Sequence, residues 1–366
     1  MTVDRRKLEA ALANVAFAVG GDGFVSIAPI ATKCDGISLA AENGSSWVRN
    51  SVQMGEGSGA PKGTLAVDHR LLSAVVRAIG PEPTVEMEDD LKSGRLTVRA
   101  GGKTFRLSAV AHPDGIVRMP KRPAGGGMSI AADVAAAVRW CSAAAAKDGD
   151  FRGVLAAVHV VAGGKRGSFV EATNGTILFR HKLTPENADY GDGDACVPAA
   201  FFRNAPIREG AVLLESDGKH LSVATDGEIE CGTCLIEQPY PDIDRAIPKG
   251  CGSRAYADAD ELRNAVDCAT PMAAADGFEH PIVTIGIRGN GGIVVSAGAE
   301  GGDFARVLVD AKCGGVDADI ILNAGYVRAA LRAMSGSVEI GYTDHESPVT
   351  LRCGNAMALI MPIVYR

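Results

Sequence analysis

Cys231-Gly-Thr-Cys234 has the spacing of a redox dithiol or of half a zinc site. The pair lies in the alternating run EIECGTCLI, where an odd separation sends the two thiols to opposite faces of a strand, and no second pair supplies further ligands. Glu86, Glu88, Asp89 and Asp90 could be imagined around a cation; however, Val85 and Met87 alternate with the glutamates, which is the pattern of a strand with one solvated face. The seven histidines have no partner pattern suggesting a triad. The glycine clusters at 125–127 and 289–292 do not lead from a strand into a helix with phosphate-loop spacing, so the first reads as a linker and the second as a hairpin. No catalytic constellation, metal site or cofactor site emerges. The expectation is a non-enzymatic scaffold.

The chain has 366 residues, 46% hydrophobic and 22% charged, enough for two or three domains with ordinary cores. No apolar run approaches the roughly 20 residues that span a bilayer, and the start MTVDRRKLEAALANVAFAV lacks a cleavage signal. Nine scattered cysteines read as reduced thiols, and the expected location is the cytoplasm. The sequons at Asn43 and Asn174 then carry no glycan.

The elements that position these residues repeat. PDGIVRMPK at 113–121 returns as PDIDRAIPK at 241–249. Each third opens with a helix pattern, Asp4 to Val19, Ala131 to Lys147 and Asp258 to Ala269, with Asp4, Asp133 and Asp258 placed to cap. A second helix follows in each: Asp68 to Ile79, Ala199 to Glu209 and Asn323 to Met334, with Gly80, Gly210 and Gly336 just beyond. Pro206 should shorten the middle one. After each second helix the period changes to two: TVEMEDD, RLTVRA and KTFRLSAV, then AVLLES, KHLSVAT and EIECGTCLI, then SVEIGYT, PVTLRC and AMALIMPI. Further strands lie between the helices. The fold class is α+β, three similar domains at 1–122, 127–249 and 253–366, each with two helices packed on antiparallel sheets.

Charge is unevenly placed. Counted over 5–19, 68–79, 130–147, 199–209, 258–269 and 323–334, the six helices carry +4, against −7 for the whole chain, leaving −11 elsewhere. Basic helices in an acidic protein suit contact with phosphate, although the fifth helix, with Asp258, Asp260, Glu261 and Asp267 against Arg263, departs from this.

Several segments carry a resemblance: DFRGVLAAVHVV at 150–161, FVEATNGTILF at 169–179, PYPDIDRAIPK at 239–249, NAGYVRAALRAM at 323–334 and LIMPIVYR at 359–366. Over nearly its whole length the chain resembles the bacterial DNA polymerase III beta subunit, the DNA sliding clamp, as a divergent member. The resemblance implies a processivity factor that closes into a ring as a head-to-tail homodimer around double-stranded DNA, without sequence preference. Its partners would be the replicative DNA polymerase, the clamp loader and other proteins with clamp-binding motifs, and it would need no cofactor. The alternative is a clamp-like adaptor that binds partner peptides without encircling DNA.

Three sites follow from the resemblance. The DNA-facing candidates are Arg5, Arg6, Lys7, Arg70, Arg77, Arg139, Lys147, Arg203, Arg328 and Arg332. A groove for extended partner peptides would comprise Leu155, Thr173, Gly175, Thr176, Ile177, Leu178, Pro241, Arg245, Ile247, Asn323, Tyr326, Ile360, Met361, Pro362 and Ile363. Asn174-Gly175-Thr176-Ile177 stands where the family usually has Asp-Gly-His-Arg, which implies a more apolar pocket. Ring closure would pair the strand Lys103 to Leu107 with one near Phe304 to Leu308, Arg95, Arg99 and Lys103 facing Glu300 and Asp303 while Phe105, Leu107 and Phe304 pack.

Overall fold

The structure is a computed structural model. The structure describes residues 1–30, 36–59, 61, 63–111, 128–132, 134–147, 153–163, 167–184, 193–207, 212–216, 219–225, 228–275, 281–289, 291–298 and 302–364. The described helices are α1 (Arg5–Val15), α2 (His69–Ile79), α3 (Ala135–Ser142), α4 (Ala199–Asn204), α5 (Ala259–Ala275) and α6 (Ala324–Leu331). They accompany 25 strands among the described residues, an α+β architecture.

The chain forms two compact units, Met1–Ala131 with Asn204–Leu235, and Ala132–Arg203 with Ile236–Arg366. In the first unit one twelve-stranded sheet runs in the order Thr2–Asp4, Thr84–Asp90, Arg95–Ala100, Lys103–Ala111, Leu65–Asp68, Phe24–Pro29, Gly36–Glu42, Ser46–Gln53, Ile229–Cys234, His220–Thr225, Val212–Ser216, Met128–Ala132. The second unit holds a nine-stranded sheet, Gly193–Pro198, Ala157–Ala162, Phe169–Thr173, Ile177–Lys182, Ala356–Ile360, Val349–Cys353, Ser337–Tyr342, Ser253–Asp258, Ala311–Gly314. It also holds a four-stranded sheet, Phe304–Val309, Gly292–Gly298, Ile282–Arg288, Ala318–Asn323.

The helices form where polar caps and apolar stripes coincide. In α1, Asp4 accepts the Lys7 N–H at 2.9 Å, and Leu8, Leu12 and Val15 are buried on one face. In α2, Asp68 accepts the Leu71 N–H at 2.7 Å, Leu72, Val75, Val76 and Ile79 are buried, and Gly80 follows at φ 84°. Asn323 caps α6 through the Tyr326 N–H at 3.2 Å. The period-two runs are strands as expected. Val85, Met87, Leu96 and Val98 are buried while Glu86, Glu88, Arg95 and Arg99 are exposed, so the acidic run is a solvated strand face.

Several boundaries differ from the periodicity. The helix expected from Ala131 begins at Ala135, because Met128–Ala132 joins the sheet instead; Asp133, its expected cap, lies outside the described residues. The α-helix of the first third ends at Val15, its last turn tightening to a 3-10 turn over Ala16–Ala18. α4 stops at Asn204, two residues before Pro206, whose ring cannot continue it. α5 instead runs past the expected end at Ala269 and through Pro271; Thr270 donates its hydroxyl to the Val266 carbonyl at 2.7 Å, adding a bond beside the proline. α6 closes at Leu331 rather than Met334, which turns back to bond the Leu331 carbonyl at 3.1 Å.

The repeats are joined by strand pairing. Ser46–Gln53 of the first third pairs with Ile229–Cys234 of the second, with Trp47 opposite Gly232 and Val48 opposite Cys231. Ile177–Lys182 of the second third pairs with Ala356–Ile360 of the third, with Leu178 opposite Leu359. Both junctions use the same positions of the repeat, the third strand after the first helix in one third and the last strand of the meander in the next.

Candidate functional site

Of the residues expected to form a groove, those in 173–178, 241–247 and 360–363 come together in the second unit, while Leu155, Asn323 and Tyr326 lie on other stretches of chain. The hairpin turn after Thr173 is held by side chains: Asn174 Oδ1 accepts the N–H groups of Thr176 at 2.9 Å and Ile177 at 3.0 Å, Thr173 Oγ1 donates to the Ile177 carbonyl at 2.6 Å, and Gly175 takes φ 91°. Beyond Ile360 the chain continues across this turn, the Met361 N–H reaching the Thr176 carbonyl at 3.0 Å and the Ile363 N–H the Ile321 carbonyl at 2.8 Å. The third stretch is Tyr240 to Ile247, which carries only the 3-10 turn Ile243–Arg245. Ile243 is buried in one cluster with Leu178, Met357 and Leu359, and Tyr240 and Ile247 pack against it.

Not every expected groove residue reaches a surface. Ile177 and Ile360 face each other in register at 1% and 0% exposure, and Leu178, Thr173 and Asn323 are also buried. They are core residues of the sheet and its turns. Leu155, Ile247, Tyr326, Pro362 and Ile363 are half-buried, and Gly175, Thr176, Pro241, Arg245 and Met361 are exposed. Arg245 extends into solvent with its Nε on Asp242 at 3.2 Å. Sequence reasoning missed Tyr240, Ile243, Met357 and the exposed Val364; the alternation of AMALI could have flagged Met357, whereas Tyr240 and Ile243 lie in a segment without period.

The basic candidates divide by their partners. By exposure alone, Arg6, Lys7, Arg70, Arg77, Arg139, Lys147 and Arg332 stand at the surface, Arg77 with its Nε on the Ser73 carbonyl at 3.2 Å. Arg5 is half-buried, its Nε on the Glu82 carbonyl at 3.1 Å and its Nη1 on Glu9 at 2.7 Å. Arg203 donates twice to the Ser142 carbonyl, and Arg328 pairs with Asp267 of α5 at 2.5 Å. In α5, Arg263 binds Asp260 at 2.6 Å and donates to the Leu331 and Met334 carbonyls at the end of α6. That helix braces its neighbour. It does not present positive charge.

At the expected ring-closing edges, Lys103–Ser108 pairs with Arg95–Ala100 on one side only among the described residues, and Phe304–Val309 ends its sheet. Phe304 and Leu308 are 41% and 71% exposed on one face of that strand, beside exposed Asp303. Phe105 is half-buried, whereas Leu107 is already buried in its own unit at 4% exposure. Two of the expected interface cations have partners within their unit: Lys103 donates to the Ala78 and Ile79 carbonyls at the end of α2, and Arg99 pairs with Glu88 at 2.7 Å. Arg95 is exposed, and Glu300 lies outside the described residues.

Cys231 is buried and Cys234 exposed, on opposite faces of their strand. Burial, followed by the charge of Glu230, pushes the Cys231 thiol up to about 12. No helix among the described residues is long and apolar enough to cross a membrane.

Repeated helix-and-sheet units joined in this order are the fold of the bacterial DNA sliding clamps. The match extends over the whole chain: the beta subunit from the DNA polymerase of Streptococcus pyogenes superposes with a TM-score of 0.85 at 18% identity, covering 100% of this chain and 99% of that one. The DNA polymerase III beta chain of Streptococcus pneumoniae gives 0.84 at 20% identity with the same coverages. A sliding clamp from Pseudomonas aeruginosa bound to griselimycin gives 0.82 at 19% identity, again with 100% and 99% coverage. No protein-family model matches the sequence, and no curated protein matches it.

Proposed function

We propose that this chain is a DNA sliding clamp, a non-enzymatic processivity factor that closes as a head-to-tail homodimer around duplex DNA. The observation that carries the reading is the strand inventory. Two repeat-to-repeat junctions are made within the chain, and among the described residues the strands that would make the equivalent third junction, Phe304–Val309 and Lys103–Ser108, have open edges. A second copy supplies the missing partner at each edge, and a contact of this heterologous kind closes into a ring when the rotation between copies is right. The three domains would be 1–122, 127–249 and 253–366.

In this reading the exposed cations of α1 and α2, Arg6, Lys7, Arg70 and Arg77, meet phosphate, together with Arg139, Lys147 and Arg332. Such contacts are sequence-independent, as a sliding protein requires. Arg5, Arg203 and Arg328, held by backbone carbonyls or carboxylates of other elements, contribute less, whereas Arg77 is bonded to the Ser73 carbonyl of its own helix. Polymerase, clamp loader and other proteins carrying a clamp-binding motif dock through the groove beside Met361 and Thr176, which suits an extended peptide with two or three apolar anchors.

Loading onto circular DNA by the cognate clamp loader is the test. Retention on closed circles, lost when they are linearised, is expected. The variant Arg6→Glu/Lys7→Glu should keep its dimer mass yet lose retention at lower salt than the wild type. A monomer at micromolar concentration, or equal retention on linear and circular DNA, would overturn the proposal.

A further inference from the structure

A network of charged and aromatic side chains links the strands of this sheet to the Tyr240 to Ile247 stretch. Glu171, 1% exposed, accepts from Arg180 Nε at 2.6 Å and contacts His159 Nδ1 at 2.9 Å. Arg180 reaches outward with Nη2 to Asp244 at 2.6 Å, and its guanidinium lies 4.9 Å from the centre of the Phe169 ring. The other nitrogen of His159 meets Asp194 at 3.1 Å, and the imidazole stacks on Tyr240 with ring centres 4.6 Å apart and planes 18° apart. Tyr240 in turn accepts the Thr173 N–H at 3.1 Å.

Every one of these contacts ends on the Tyr240 to Ile247 stretch or on the strands under it. That stretch belongs to no strand, so its position depends on side chains. Ile243 anchors it by burial; Tyr240 and Asp244 fix its rotation about that anchor, the first through stacking and the second through a charge-assisted bond. Arg180 joins the buried carboxylate of Glu171 to the half-exposed one of Asp244, and so couples the sheet to the wall.

We infer that Arg180 and Asp244 are positioning residues for the partner groove: their pair holds the wall bearing Pro241, Arg245 and Ile247 in its binding geometry before a peptide arrives. The inference rests on the groove reading above. A wall fixed in advance lowers the ordering cost of binding and raises affinity without touching the peptide.

Two variants test it in the full-length dimer. Asp244→Asn removes the outer partner at a half-exposed position. Arg180→Met with Glu171→Gln removes the inner link without leaving a bare carboxylate in the core. Hydrogen exchange of residues 239–247 should rise about tenfold or more in both, while dimer mass and retention on circular DNA stay at wild-type values. Affinity for a fluorescein-labelled hexapeptide carrying two leucines and a phenylalanine should fall by about tenfold, equivalent to about 1.4 kcal/mol. Asp244→Glu, which keeps the charge, should recover part of it. Unchanged exchange at 239–247, or equal peptide affinity of wild type and both variants, would overturn the inference. A wild type that binds no peptide at all refutes the groove reading instead, and the two failures are told apart by that control.

Discussion

Replacing Phe304 and Leu308 together by serine tests the ring at the strand that ends its sheet. Leu308 is 71% exposed and Phe304 41% exposed, so both have surface to lose when a second copy pairs along the edge. Fully covering a leucine or phenylalanine side chain is worth about 1.5–3 kcal/mol; scaled by the exposed fractions, Leu308 contributes about 1–2 kcal/mol and Phe304 about 0.6–1.2 kcal/mol. Each interface therefore loses about 2–3 kcal/mol. A two-subunit ring contains the interface twice, so the dimer loses about 4–6 kcal/mol and its dissociation constant rises about a thousandfold or more. Sedimentation equilibrium over a dilution series measures this directly, and the half-life on closed circular DNA should shorten in parallel. On the same scale the fractions already covered in the protomer cost its own stability about 1–3 kcal/mol, which urea unfolding of the protomer measures separately. Leu107 is the contrasting position: at 4% exposure, its truncation would cost the protomer about 2–5 kcal/mol and confound the interface measurement. A change in dimer dissociation constant of less than tenfold for Phe304→Ser/Leu308→Ser would refute the assignment of this edge to ring closure.

Two further outcomes follow from the first unit. A methyl group at Gly232 would stand 2.4 Å from Trp47 Cζ2 and 2.5 Å from the Leu221 carbonyl, so Gly232→Ala should destabilise the junction between Ser46–Gln53 and Ile229–Cys234 by about 1–3 kcal/mol in urea unfolding; an unchanged midpoint would contradict the close packing of Trp47 on that strand. Because the folded-state thiol of Cys231 is raised to about 12, its thiolate is scarce below that pH in the native protein and becomes accessible on unfolding. Iodoacetamide at pH 8 should therefore alkylate exposed Cys234 and Cys268 and leave Cys231 unmodified until urea is added, as mass spectrometry of the peptides can establish.

The sequence by itself determined the local elements and their repetition. Asp4, Asp68 and Asn323 announce helix starts because their side chains satisfy free N–H groups nearby in sequence, and Glu86 alternating with Val85 and Met87 announces a strand because its two faces meet different solvents. The hairpin at 289–292 and the opposed faces of Cys231 and Cys234 were legible for the same local reason. Element ends were less so. Whether Met128–Ala132 continues a helix or joins a sheet depends on a neighbouring strand far away in sequence, and α5 passes through Pro271 despite the break that its local pattern suggests. Resemblance supplied the groove residues, but only the folded chain sorted them, because Ile177 and Met361 are both apolar and their environments differ by which strand faces them: Ile360 closes over Ile177, while Met361 lies past the end of the ladder. The carbonyls that hold Lys103, the ion pairs of Arg99 and Arg328, and the network from His159 through Glu171 and Arg180 to Asp244 belong wholly to the tertiary structure. Their partners come from separate elements, and a charge becomes engaged or free only when folding decides what stands within hydrogen-bonding distance of it.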